Sequence, residues 1–469
     1  MATTGSVEDT IAAVATPPGR GGVAIVRVSG PDAYDISRGI FRSLAGEVVS
    51  PRPRRATVGR VLDPATGEAV DEVLCLFMPG PGSYTGEDVV EFHCHGGPVP
   101  VEGVLAVLLQ AGARPAEPGE FTRRAFLNGR MDLTQAEAVA DLISARSRKA
   151  ARLALDQMEG RLGREIRRLR SEIVEIMASV EVVLDYPELD IEARQVEELL
   201  SGSERIRKEL DALLLSARTG RAYREGVRTV ILGRPNVGKS SLLNALLGMD
   251  RAIVTDIPGT TRDTVEEELV VEGLPLILID TAGIREGGDD VERLGVERAR
   301  AAVERAELVL VVLDESDGLT PEDREIIEGI GHRRHCIYVL NKIDRDEAKL
   351  SPGDLRALGI EAPVVRISAL SGYGIEELSA NIARTVLGSD GAHLLGDESL
   401  VITSARHQEA LRNATASLSS FAGALRMSFP VDVASIDLRE AAEHLGTITG
   451  ETVTDDLLDR IFANYCVGK

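Results

Sequence analysis

The sequence predicts an α/β domain with a mostly parallel sheet, inserted into an all-α helical domain and preceded by a smaller α+β domain. Three observations carry this. From Val227 to about Leu387, buried-strand patterns alternate with helical ones, which implies parallel strands with helices on both faces. On either side of that stretch, apolar residues recur three and four apart, the spacing of amphipathic helices. Before residue 129, short β-branched runs alternate with Gly and Pro clusters. A chain of 469 residues has room for about three domains. The divisions fall at 1–128, 129–222, 223–388 and 389–469, the second and fourth being halves of one helical domain.

Within the first unit, Val23–Val28, Asp71–Met78 and Asp88–His93 read as strands, bounded by PPGRGG, MPGPGS and HGGP. A helix is expected over Val99–Gln110. From Thr134 the texture is that of one long amphipathic helix, ended by Tyr186-Pro187, with a second from about Ile191 to Ser216. In the α/β unit, RTVILG feeds a Gly-rich loop, and Leu276–Ile279, Leu308–Leu313, Ile337–Leu340 and Val364–Ile367 are further strands. After the link GSDGAHLLGDES, helices are expected over Thr403–Met427 and Leu438–Phe462.

Composition narrows the class. The formal charge is -22, whereas phosphate neutralisation favours a basic balance in proteins that wrap nucleic acid. Any RNA contact is therefore confined to local basic patches or shared with a partner. The four cysteines, Cys75, Cys94, Cys336 and Cys466, show no CxxC spacing, so neither a zinc ribbon nor a disulfide framework is suggested. No run of about 18 apolar residues is present and the start lacks signal-peptide character. The expectation is a reduced, cytoplasmic protein. His93, Cys94 and His95 lie side by side in a strand pattern and alternate faces, so they do not converge on a metal.

Gly233-Arg234-Pro235-Asn236-Val237-Gly238-Lys239-Ser240 fits GxxxxGK[ST], with a strand before it and a helix, beginning Ser241, after it. Backbone N–H groups of such a loop turn toward phosphate oxygens at a helix N-terminus. Lys239 supplies a point charge to the β- and γ-phosphates, and the Ser240 hydroxyl can ligate Mg²⁺. Asp280-Thr281-Ala282-Gly283 ends the next strand pattern; its Asp can hold Mg²⁺ through water and the Gly283 N–H can sense the γ-phosphate. Asn341-Lys342-Ile343-Asp344 follows IYVL. A carboxylate there accepts two hydrogen bonds from the guanine N1–H and N2–H₂ edge, which adenine lacks, so Asp344 selects GTP. Ser368-Ala369-Leu370 can place a backbone N–H on guanine O6. The order resembles that of small GTPases. Between the first two motifs lies Thr255-Asp256-Ile257-Pro258-Gly259-Thr260-Thr261, in which Thr261 is the expected switch threonine for Mg²⁺.

Many GTPases carry Gln directly after the DTAG-type Gly to orient the attacking water. Here Ile284 stands there, and an aliphatic chain cannot orient water. Developing transition-state charge then needs a cation, either an arginine finger or a monovalent metal.

Over essentially its whole length the sequence resembles the MnmE (TrmE) family of tRNA-modification GTPases. The resemblance is carried by ATPPGRGGVAIVRVSG, PGSYTGEDVVEFHCHGG, PGEFTRRAFLNGRMDLTQAEAVADLI, GRPNVGKSSLLNAL, TDIPGTTRD, DTAGIREGGDDVERLG and ITGETVTDDLLDRIFANYCVGK. It implies a homodimer with a folate-binding N-terminal domain for 5-formyl-tetrahydrofolate or a relative. It also implies K⁺-dependent pairing of the GTPase domains, with Asn236, Thr255, Ile257 and Thr260 around K⁺ and Glu292 as catalytic glutamate. The folate residues would be Arg27, Glu91, Arg130 and Lys469, and Cys466 would lie near the folate and tRNA chemistry. Arg130 replaces a usual Lys, keeping the charge but changing the fork geometry; Pro258 replaces a usual small residue. The family acts with the flavin-dependent MnmG (GidA) protein on C5 of the wobble uridine of certain tRNAs. Two other readings are a purely regulatory or ribosome-assembly GTPase, which typically appends a basic RNA-binding module, and a one-carbon enzyme with a GTPase regulator.

Overall fold

A computed structural model describes residues 9–48, 52–185, 193–249, 267–279, 301–331, 335–345, 348–391, 400–463 and 465–469. The N-terminal unit is a seven-stranded sheet of β1 (Ile11–Val14), β2 (Val23–Ser29), β3 (Phe41–Arg42), β4 (Thr57–Leu62), β5 (Ala69–Met78), β6 (Val89–His95) and β7 (Arg114–Pro115). Its spatial order is β3-β4-β5-β6-β2-β1-β7. Alternation in VAIVRVS buries Val26 and Val28 beside Phe92 of β6, Val104 and Leu108. The last two belong to the helix Pro98–Gln110, which opens with proline at its first turn, where a missing N–H costs nothing. In the antiparallel β2–β6 pair Arg27 stands directly opposite Glu91. The strands the sequence left unassigned, β1, β3, β4 and β7, are short or flanked by polar residues. Their partners, not their own patterns, specify them.

Where one long helix was expected from Thr134 to Tyr186, the chain forms three: Leu133–Ile143, Arg148–Met158 and Arg161–Asp185. The breaks are local chemistry. Asp132 and Gln135 form a reciprocal capping box at the first start. Ser147 accepts the Ala150 N–H to start the second, and Gly160, at φ 74°, turns the chain into the third. The next helix, Ala193–Glu225, runs past the expected Ser216. Near the end, the expected helix Leu438–Phe462 is two, Val431–Thr449 and Asp455–Phe462, because Gly450 stands at φ 92°. Before them lies Ala405–Arg426. Residues on both sides of the α/β unit share one core, including Ile166, Leu169 and Leu210 from the first half and Leu418, Phe421 and Leu438 from the second. The α/β unit is therefore an insertion into a single helical domain.

That insertion is a six-stranded sheet, β8 (Val227–Leu232), β9 (Glu267–Val271), β10 (Leu274–Leu278), β11 (Leu308–Asp314), β12 (Cys336–Asn341) and β13 (Val364–Arg366). The order is β13-β12-β11-β8-β10-β9, with only β9–β10 antiparallel. β11 and β12 are buried along their whole length, as expected for parallel strands covered on both faces. The helix Ile375–Gly391 carries the chain back toward the helical domain, breaking at Gly388. Among the described residues, no helix is long and apolar enough to cross a membrane.

Candidate nucleotide-binding site

The phosphate loop joins β8 to the helix Lys239–Met249. Its shape depends on glycine at two points. Gly238 has φ 100°, and a Cβ there would be driven into the Asn341 amide; Gly233 has φ 152°, and a Cβ would strike the Val312 carbonyl. Asn236 itself is left-handed, at φ 64°. Lys239 Nζ donates to the carbonyls of Gly233 (2.6 Å) and Arg234 (2.9 Å), so the ammonium lies across the mouth of its own loop. Burial lowers its pKa, because an ammonium withdrawn from water loses the hydration that stabilises its charge.

The residues expected to read the base are joined to this loop. Asn341, at the end of β12, donates from Nδ2 to the Val237 carbonyl at 2.8 Å and accepts the Ala369 N–H at 3.0 Å. Lys342, left-handed at φ 67°, donates from Nζ to the Asn236 carbonyl and to Asp314 Oδ2, both at 2.6 Å. Ser368 Oγ donates to Asp344 Oδ1 at 2.5 Å, and Leu370 is largely exposed at the rim. The structure thus brings Asn236, Val237, Gly238, Lys239, Asn341, Lys342, Asp344, Ser368 and Ala369 into one hydrogen-bonded unit at the carboxyl ends of parallel strands, where open α/β sheets bind ligands. Ser240 and Ser241 start the helix behind the loop. Thr255, Asp256, Ile257, Pro258, Gly259, Thr260, Thr261, Asp280, Thr281, Ala282, Gly283, Ile284 and Glu292 lie outside the described residues.

A second constellation forms where the C-terminus returns to the N-terminal sheet. Arg27 Nε donates to Glu91 Oε1 at 2.9 Å and Nη1 to the Gly468 carbonyl at 3.2 Å. Its guanidinium lies 5.4 Å from the Tyr84 ring centre and 5.6 Å from that of Phe121, a cation–π arrangement. Glu91 Oε2 pairs with His93 Nε2 at 3.2 Å. Gly468 sits at φ 96° against the Val14 carbonyl. Half-buried Lys469 has its pKa lowered, first by burial and then by the Arg27 charge. Arg130 Nε donates to the Ser83 carbonyl at 3.0 Å, next to Tyr84. Glu91 and Lys469 are thus neighbours of Arg27, Arg130 is linked to Arg27 through Ser83 and Tyr84, and Cys466, three residues before the end, is exposed. Cys94 faces the core and donates to the Ala24 carbonyl, while His95 pairs with Asp71 on the surface.

Comparison with known proteins decides the family. A model of the "MnmE helical domain" matches residues 133–466 and one of the "GTP-binding protein TrmE N-terminus" matches residues 10–130. The tRNA modification GTPase MnmE of Heliobacterium modesticaldum is 47% identical, covering 99% of this chain and 100% of its own. That of Clostridioides difficile is 45% identical over the same shares. The chain belongs to the MnmE family. Among solved structures, the G domain of the T. maritima FeoB iron transporter is 28% identical, covering 34% of this chain and 98% of its own, with TM-score 0.25.

In this MnmE-family chain two polar clusters went unread in the sequence. Beneath the N-terminal sheet, Arg124, 1% exposed, donates to Asp9 Oδ1 (2.7 Å), Glu120 Oε1 (2.9 Å) and Glu87 Oε2 (3.2 Å). A buried guanidinium is tolerable only when so surrounded. In the helical domain, Arg406 grips Glu137 with Nε and Nη2 at 2.9 and 3.0 Å, and buried His407 Nε2 lies 2.6 Å from Glu137 Oε2. The signal was present as charged residues at apolar positions of RRAF and AEAVADL, but their partners are up to 269 positions away.

Proposed function

We propose that this chain is a GTP hydrolase, releasing GDP and phosphate, that acts in the modification of tRNA at C5 of the wobble uridine. The observation that carries the reading is the position of Asn341, which binds the phosphate loop through Val237 and the base-recognition loop through Ala369. A nucleotide spanning the two is held by backbone N–H groups and Lys239 at its phosphates and by Asp344 at its base. Mg²⁺, held by Ser240 and Thr261, would neutralise charge between the β- and γ-phosphates. K⁺, held by Asn236, Thr255, Ile257 and Thr260, would supply positive charge against the negative charge that develops in the transition state, which the aliphatic Ile284 cannot stabilise. Glu292 orients or polarises water.

A folate such as 5-formyl-tetrahydrofolate suits the second constellation. Glu91 is a carboxylate for a pterin's amide-like N–H edge, and Arg27, Arg130 and Lys469 offer cations for its glutamate. The pterin edge would compete with Arg27 for Glu91 Oε1. The chain acts as a homodimer in the cytoplasm, with MnmG supplying flavin chemistry and part of the tRNA grip, in keeping with the charge of -22. The test is mass analysis of wobble uridines from cells lacking this gene. Loss of the aminomethyl-type group is expected; its persistence overturns the reading.

A further inference from the structure

The α/β unit meets the helical domain around a cavity of about 340 Å³ at the end of the sheet opposite the phosphate loop. Arg218, Arg221 and Ala222 of the helix Ala193–Glu225 form one wall; Glu307, His335 and Val386 of the α/β unit complete it. The volume falls in the range of small-ligand sites, about 300–1,000 Å³.

The charge here runs against the rest of the molecule. The chain has 75 acidic side chains against 53 Lys and Arg, and many of its arginines grip carboxylates closely, as Arg366 does Glu315 at 2.6 and 2.9 Å. At the cavity they do not. Arg221 stands 3.7 Å from Glu307, the one carboxylate among the described lining residues, and Arg228, just outside the lining, stands 3.8 Å from it. Arg218 Nη2 contacts His335 Nε2 at 2.7 Å. A guanidinium only donates, so His335 presents a lone pair there and gives no countercharge. Guanidinium forks match oxyanions of several oxygens, and phosphate above all.

We infer that this cavity binds a phosphate group, carried either by a small phosphorylated molecule or by an RNA backbone. The apolar walls, Ala222 and Val386 among them, receive the organic part. The site lies where the chain enters the α/β unit, at Gly226–Val227, and close to where it leaves, beyond Val386. A bound phosphate bridges Arg218 and Arg221 of the helical domain to the α/β unit, and so favours one orientation of the latter to the extent that it binds that orientation better.

The test uses the full chain saturated with Mg·GDP, so that the phosphate loop is filled, titrated calorimetrically with pyrophosphate and separately with a short 5′-hydroxyl single-stranded RNA. One equivalent of at least one probe binds; pyrophosphate alone identifies the small-molecule source and RNA alone the backbone source. Arg218→Ala with Arg221→Ala weakens binding at least about tenfold with GDP affinity unchanged. Ala222→Leu, which fills the cavity and keeps every charge, does the same, and Glu307→Gln tightens binding. Failure of both probes overturns the inference. So does a loss confined to the arginine variant, since that marks diffuse surface attraction in place of a cavity.

Discussion

Arg224 Nε donates to Asp141 Oδ1 at 2.7 Å, joining the helix Leu133–Ile143 to the last turn before β8. Burial raises the Asp141 pKa above its ordinary 3.8, with Arg224 opposing the rise. A folded-state pKa that is raised means the neutral acid is the better-tolerated form. Its stabilising effect is complete below pH 3.8 and is lost as pH rises through the folded-state value. Arg224→Ala, which leaves the carboxylate buried alone, is expected to cost about 2 kcal/mol at pH 7, discounted for the pair's partial exposure. Asp141→Asn should cost less than half of that. Chemical denaturation measures both, and the Arg224→Ala deficit should shrink toward pH 4. Equal losses at all pH values would show that charge burial is not what Arg224 offsets.

Glu137 gives the opposite sign. Burial pushes its pKa up, but the His407 and Arg406 charges outweigh burial and hold it well below 4.5. Its stabilisation is therefore present above pH 4.5 and lost as pH falls below it. Circular dichroism should show helix loss beginning below about pH 4.5, with a shallower acid slope in Glu137→Gln. An unaltered slope in that variant would assign acid unfolding to other groups.

Asp344→Asn should exchange base preference. The amide cannot accept both guanine N–H donors, whereas its NH₂ can donate to the C2 carbonyl of xanthine. GTP affinity should fall on the order of a hundredfold, since a recognition site left with unpaired polar groups discriminates strongly, and xanthosine triphosphate should bind in its place. Retained GTP affinity in equilibrium binding would take Asp344 out of base recognition.

The fold was legible where one residue's own neighbours decide its conformation. The phosphate loop, NKID, and the buried strands β11 and β12 needed only local pattern. The helical domain was legible as helix but not as three helices before Tyr186, because Ser147 and Gly160 act through single caps inside a continuous apolar rhythm. Arg27 and Glu91 are 64 positions apart, and only the β2–β6 register makes them neighbours. Arg124 and Arg406 were opaque for the same reason: their carboxylates come from distant segments.

From the resemblance of TDIPGTT and of Asn236 to a K⁺ site, turnover should be much faster in K⁺ than in Na⁺ at equal ionic strength. Glu292→Ala should keep GTP affinity and lose turnover by a factor of about 100 or more. Equal rates in the two salts would remove the monovalent cation from the mechanism, and unchanged turnover would remove Glu292.

Removing Val467, Gly468 and Lys469 deletes the carbonyl that Arg27 reaches and a cation beside Glu91. The truncated chain should bind 5-formyl-tetrahydrofolate at least about tenfold more weakly, with GTP hydrolysis preserved. Undiminished folate affinity in calorimetry would place the folate elsewhere.

Gly226, where the chain passes into the α/β unit, and Val386, shortly before it passes out, line the same cavity, while the residues flanking the insertion close their own core without it. The insertion thus behaves as a cassette on a single stem. With residues 227–387 cut out and the stem joined by a few small residues, the core around Ile166, Leu210 and Phe421 keeps its own partners, while Leu153, Ala222 and Tyr223 lose the insertion they pack against. The excised piece carries its whole sheet and phosphate loop, so it can be studied, or transplanted, as a free-standing nucleotide module.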